Sequence, residues 1–485
     1  MAQLRAGKLA AFPFCRLECA IRVAALLFAL GSAPFASAFT AQAQDPLPSH
    51  ALDTAAQLRE RALADDTGYR IIESLTTEVG PRLPGSEADA RAVAWAQAKF
   101  ESLGFDRVWT EPVTFPKWER RSERASVVGA HAQPLVVTAL GGSPGGTAEA
   151  EIVRFIDFAA LEAAPEAAVD GKIVFVDFAM ERTRDGSGYD AAGPVRGRGP
   201  SVAASKGAVG FLMRSLSTSR NRVANTGITR FAEGVTPIPA AATSLPDAEQ
   251  LVRLLERGPV RVRMELDCGW NGEYTSHNVI AELTGREAPD EIVVIASHLD
   301  SWDHGTGAVD DASGVGITAA AAHLIAQLPQ RPRRSIRVIA FANEEQGLIG
   351  ARQYAQRHAG AMAQHVIGAE SDFGSGRIYA FNTSARDATH ALSRQIAGAL
   401  APLGIEFQPA QGGPGPDIIP LAQAGMPWAW LGQDGSGYFD LHHNADDTFD
   451  KVDADDVRHN VAAYTVFAYL AAEAAADFRA PAAGE

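Results

Sequence analysis

The sequence predicts an α/β fold: a mainly parallel sheet covered by helices on both faces, with a smaller α/β domain inserted. Three observations predict it. From Asn278 onward, β-branched runs alternate with alanine-rich helical stretches, the pattern of strands buried on both faces. Between about Leu135 and Asp267 the character changes to short strand candidates joined by Gly- and Ala-rich connections. Histidines and carboxylates then follow several of the later strands, at the edge where open α/β sheets hold their ligands.

The first 43 residues read as a secretory leader. Arg5, Lys8, Arg16 and Arg22 precede a short apolar stretch from Val23 to Leu30, followed by Ala36-Ser37-Ala38 and Ala41-Gln42-Ala43. That stretch is too short to span a bilayer. Cleavage after Ala43 leaves 442 residues and removes Cys15 and Cys19, so Cys268 stands alone and is expected to be a buried small apolar residue. It also leaves 39 basic against 57 acidic residues, a net charge of −18. That balance argues against nucleic acid or an anionic membrane as partner. An exported protein, periplasmic or secreted, is expected.

Residues 44–134 form the N-terminal part of the main domain. After a disordered lead-in to residue 50, helical patterning runs from Asp53 to about Thr76 and is broken by Gly80-Pro81-Arg82 and Leu83-Pro84-Gly85-Ser86. Ser86 can cap the next helix, which ends at Gly104. Phe105 to Phe115 reads as strand.

Residues 135–267 carry strand candidates at Glu151–Phe155, Lys172–Asp177, Val209–Met213 and Val260–Leu266, with Asp185–Gly199 as a long polar loop. The block holds no cluster of His, Cys or carboxylates at ligand spacing, so a cleft-covering insertion is expected. Residues 268–485 complete the main domain. Strands are expected at Asn278–Leu283, Ile292–Ala296, Ser335–Ala342 and His365–Glu370, with helices at Ser313–Leu328, Gly347–His358 and, capped by Asp453, Asp453–Asp477.

The charged residues cluster at the ends of these strands. Ile292–Ala296 runs into SHLDSWDHGTGAVDDASG, with His298, Asp300 and Asp310. Ser335–Ala342 runs into Glu344 and Glu345, His365–Glu370 into Asp372, and LHHNADDT supplies His442 and His443. Each piece alone has a plain reading as a hydrogen-bonded surface pair, a solvated loop or a helix cap. Imidazoles and carboxylates arriving together at one sheet edge are the ligands a zinc-type ion takes.

SHLDSWDHGTGAVDDASG, AFANEEQG, ESDFGSG and HHNADDT resemble the metal-binding blocks of the co-catalytic dizinc metallopeptidases, the family of bacterial leucyl aminopeptidases and glutamate carboxypeptidase. TTEVGPRLPGS, FPKWER, KGAVGFLMRS and GVTPIPAAATS extend the resemblance, in particular to the carboxypeptidase Q branch, over nearly the whole mature chain. The resemblance implies a zinc exopeptidase-type sheet with a protease-associated-like insertion and two zinc ions per chain. It makes Asp310 the bridging carboxylate, His298 and Asp372 the ligands of one ion, and Glu345 and His443 those of the other. Glu344 would be the general base, activating a metal-bound water, and Asp300 would hold the His298 imidazole. A cis peptide at Asp310–Asp311 is implied as well. Asp417, in GGPGPD, and Tyr438 are candidate substrate contacts, with loop bracing and packing as the alternatives; Pro416 stands where the relatives have threonine.

The expected function is therefore an exported dizinc dipeptidase or exopeptidase acting on short peptides, with a homodimer as the family's assembly. The alternatives are a non-catalytic binding module on the same scaffold and a dizinc deacylase.

Overall fold

The structure, a computed structural model, describes residues 47–386 and 390–479, which belong to one compact unit. The expected leader, with Cys15 and Cys19, lies outside the described residues. From Leu47 onward the chain is packed, not a loose lead-in: Leu47 is buried and its amide donates to Gln395 Oε1 at 3.0 Å. The single helix expected from Asp53 is two, Ser49–Leu63 and Thr67–Glu78. Asp65 makes the break, its carboxylate accepting the Thr67 amide at 2.7 Å.

Eleven strands form one sheet. From one edge the order is His365–Glu370, Ala288–His298, Arg334–Phe341, Arg261–Leu283, Gly146–Phe155, Ile173–Val176, Gly210–Arg214, Ala240–Thr243 and Val137–Ala139. The first three are parallel, as the strand-helix alternation predicts, and so is the run from Gly146–Phe155 to Ala240–Thr243. The sheet as a whole is mixed. Between these two parallel blocks lies a long antiparallel ribbon, Arg107–Val128 against Arg261–Leu283, paired from Arg107↔Glu282 to Val128↔Arg261.

That ribbon is what the sequence conceals. Expected strands at Phe105–Phe115, Val260–Leu266 and Asn278–Leu283 are fragments of it, separated by polar stretches that read as loops. An antiparallel ribbon tolerates a solvated face, and ion pairs such as Arg121–Asp267 at 2.6 Å furnish it. The division between residues 267 and 268 thus falls inside one continuous strand. The polar loop expected at Asp185–Gly199 is instead mostly a helix, Ser187–Gly197, whose glycines and Pro194 hide its period.

Both faces of the parallel block are covered. Along Ala288–His298, Val293 and Ile295 join one apolar cluster while Ile292, Val294 and Ala296 join another, the alternation of a two-sided strand. The first cluster includes Ser49–Leu63, Thr67–Glu78, Ser313–Ala326 and Ala454–Glu473; the second includes Ile349–Arg357 and Ile418–Gln423. Two capping expectations hold: Ser86 Oγ accepts the Asp89 amide, and Asp453 accepts those of Asp455 and Asp456. A second, three-stranded sheet (Glu406–Phe407, Ile378–Thr383, Ala429–Gln433) lies near the C-terminal part. Among the described residues, no helix is long and apolar enough to cross a membrane.

Candidate active site

His298 is the last residue of its strand, and the chain must then turn back to bring Asp310 beneath it. Two buried groups shape that loop. Arg82 donates to the carbonyls of Leu299, Thr306 and Gly307 at 2.5, 2.7 and 2.9 Å, and Asp447 Oδ1 accepts the Ala308 and Val309 amides, both at 2.7 Å. The Asp310–Asp311 peptide is cis. Asp311 accepts the amides of His298 (3.1 Å) and Gly314 (2.9 Å), stitching strand end to helix start. Only glycine fits at 314, because a Cβ there would lie 2.0 Å from the Ser371 carbonyl.

The five expected ligand residues meet around Asp310. Its Oδ1 is 3.1 Å from His298 Nε2, which is 3.5 Å from Asp372 Oδ1. Its Oδ2 is 3.3 Å from His443 Nε2, which is 2.9 Å from Glu345 Oε2. One carboxylate thus faces two sets of donors, one with each oxygen. Asp310 Oδ2 and Glu345 Oε1 are buried without a hydrogen-bond partner, a costly state for a carboxylate unless a cation balances it. Donor atoms on a tetrahedral ion with bonds near 2.0–2.1 Å stand about 3.3 Å apart, so the spacing and chemistry fit zinc-type ions. His298 Nδ1 donates to the Asp300 carbonyl at 3.1 Å, leaving Nε2 free to coordinate. His442 also reaches Asp310, at 3.6 Å, but only His443 meets Glu345 as well.

Asp300 departs from its expected role. Its carboxylate is 3.8 Å from His298 Nδ1, and the imidazole bonds the backbone carbonyl instead. The carboxylate accepts the amides of Glu344 at 3.0 Å and Glu345 at 3.3 Å. It fixes the turn that separates the two glutamates.

The electrostatics follow from burying so many acids together. Burial, with Asp372 and Glu345 nearby, holds the Glu344 carboxyl well above the usual range. Burial would lower the His298 imidazole, but Asp372 and Asp310 hold it well above its ordinary value. His443 is likewise carried against burial, by Glu345 and Asp310, up to about 9. Asp310 moves the other way from Glu344: despite burial, His298 and His443 keep it well below its ordinary value. His442, buried and beside His443, is pushed well below its own.

A cavity of about 780 Å³ opens onto this cluster. Glu344, Glu345, Asp310, Asp372, His442 and His443 line it, together with the loop Gln411–Pro416 and Trp430. Tyr438 lines it too, its ring packed on Phe373 and His442, each at 5.0 Å. Asp417 does not. It is fully buried, its backbone amide donates to Glu370 Oε2 at 2.8 Å, and neither of its carboxylate oxygens has a hydrogen-bond partner. His304, in the loop after His298, bonds Thr138 and Glu123. The cavity also has a residue that sequence reading missed. Arg196, on the helix Ser187–Gly197, is the one arginine or lysine among the described residues lining it. The sequence signal was only a basic residue in a stretch taken for loop.

The chain is similar to known proteins over most of its length. The model of peptidase family M28 matches residues 278–468. Carboxypeptidase Q of Bos taurus is 33% identical over 416 residues, covering 84% of this chain and 86% of that protein. The structure of a peptidase M28 precursor from Shewanella amazonensis is 47% identical, with a TM-score of 0.86 over 90% of this chain and 99% of that one. A zinc aminopeptidase from Bacillus subtilis shares the fold at 18% identity, with a TM-score of 0.62 over 85% of this chain and 98% of that one.

Proposed function

The chain belongs to peptidase family M28, a family of metal-dependent exopeptidases, and from that premise we propose an exported dizinc enzyme that hydrolyses dipeptides and other short peptides. The observation that carries the two-metal reading is the placement of Asp310, whose two oxygens face separate donor sets. His298, Asp372 and Asp310 would hold one zinc ion; Asp310, Glu345 and His443 would hold the other. Bound there, the ions supply a polarised scissile carbonyl and a water acidic enough to attack it near neutral pH.

The chain's own groups do the rest. Glu344 lines the cavity, belongs to neither donor set and is oriented by Asp300. It takes a proton from the attacking water and passes it to the leaving amine. Asp300 is a positioning residue, and Tyr438 packs the wall. Arg196 supports the choice of short substrates: a single guanidinium in an acid-lined cavity is suited to the free carboxylate of a dipeptide. Residues 135–267 are the inserted domain, and through the helix Ser187–Gly197 they contribute that arginine. Export rests on the leader over residues 1–43.

Zinc analysis with hydrolysis of a dipeptide and of its C-terminal amide tests this reading. Activity that disappears on chelation, returns with zinc and favours the free acid is the expected result. Activity indifferent to chelation contradicts it.

A further inference from the structure

Resting on the two-metal reading, we propose that Asn225 is a positioning residue for the metal centre: with the Thr226 carbonyl, it sets the His442–His443 turn so that His443 presents Nε2 to a metal ion. These residues belong to the segment read as a cleft cover, 217 positions before the histidines they contact.

Three bonds tie Asn225 and Thr226 to the two histidines. Asn225 Nδ2 donates to the His442 carbonyl at 2.6 Å, and the Thr226 amide donates to the His443 carbonyl at 3.0 Å. The third is between His443 Nδ1 and the Thr226 carbonyl, at 3.3 Å. A carbonyl can only accept, so Nδ1 carries the hydrogen. Nε2 then faces Glu345 Oε2 at 2.9 Å and Asp310 Oδ2 at 3.3 Å, and it is the nitrogen that would give up its hydrogen to bind a metal ion. Arg196 Nη1, 3.5 Å from Nδ1, donates to the same Thr226 carbonyl at 3.4 Å.

The turn needs such fastening. His443 has φ of 61°, a left-handed conformation that a non-glycine residue adopts only when its surroundings impose it. The fastening residues are themselves held: Asn225 and Thr226 are buried, the Asn225 amide donates to Ser215 Oγ at 2.9 Å, and Thr226 Oγ1 donates to the Ala139 carbonyl at 2.8 Å. His298 takes its matching carbonyl from Asp300, in its own loop. Of the two histidines, His443 is thus the one whose Nδ1 partner comes from a distant segment.

The test is zinc binding to purified wild type and to Asn225→Asp, which puts an acceptor where a donor faced the His442 carbonyl. Competition with a chromophoric chelator reads the affinity of each ion. The expected variant keeps one ion as tightly as wild type and binds the second about 10- to 100-fold more weakly. The cobalt(II)-substituted spectrum should change for that second ion, and the metal-free protein should melt lower than wild type, because the His442 carbonyl loses its donor. Should this variant not fold, Thr226→Val removes the hydroxyl anchor alone and should weaken the second ion several-fold. Unchanged affinity for the second ion, with or without a lower metal-free melting temperature, overturns the proposal by reducing Asn225 to a brace. A wild type that binds fewer than two ions overturns the two-metal reading first, and this inference with it.

Discussion

Asp300 holds the backbone of Glu344, its Oδ1 accepting the Glu344 amide at 3.0 Å while Oδ2 accepts the amide of Glu345 at 3.3 Å. Two adjacent glutamates can take different roles only if the turn between them is rigid. Asp300→Ala frees both amides, and kcat/KM should fall by about 100-fold or more. Steady-state kinetics with zinc in excess checks this, and activity within twofold of wild type would contradict it.

Arg196 is placed to pair with a substrate carboxylate, and a charge-assisted bond of that kind contributes about 1.5–3 kcal/mol. Arg196→Met should lower kcat/KM for a dipeptide by about 10- to 100-fold, while a dipeptide amide is little affected. Equal losses on both substrates would remove Arg196 from substrate recognition.

Arg82 is fully buried and gives three of its bonds to carbonyls of the loop between His298 and Asp310. Arg82→Met strands the Leu299, Thr306 and Gly307 carbonyls, at about 1–3 kcal/mol each where water cannot reach them. Urea denaturation of the metal-free protein should show a loss of about 3 kcal/mol or more. A midpoint unchanged from wild type would show that the loop holds its shape without the guanidinium.

His365 opens the strand that leads to Asp372. Burial pushes its imidazole down to about 4, against about 6.5 for an exposed histidine. The folded state therefore prefers the neutral ring, and the unfolded chain takes up the proton first as pH falls. Its contribution is complete above pH 6.5, is lost between 6.5 and 4, and amounts to about 3 kcal/mol. Between pH 7 and pH 5, urea denaturation should show about 2 kcal/mol of this loss in wild type and a shallower slope in His365→Gln. Parallel slopes would refute it.

How much the sequence disclosed depended on whether a residue's partner was local. His298, Asp310, Glu344, Glu345 and Asp372 stand at ends of strands whose apolar runs are plain to see, so position and chemistry were legible together. Asp300 was legible as a site residue but not in its contact, because which of its oxygens meets the imidazole depends on backbone geometry. Asp417 looked like a substrate residue from its glycine-rich loop, yet its side chain is fully buried and does not line the cavity. Arg196, Asn225 and Thr226 were invisible: their contacts with His442 and His443 lie more than two hundred positions away. The long ribbon was missed because charged faces in antiparallel strands resemble loops.

The central claim is that Glu344 moves the proton while the other carboxylates hold metal. Zinc content and dipeptide turnover, measured on the same preparation of Glu344→Gln and of wild type, test it most directly. The account predicts close to two zinc ions per chain in both proteins, with turnover in the variant reduced by about 10³-fold or more. A variant that keeps its zinc and retains turnover near the wild-type rate would contradict it.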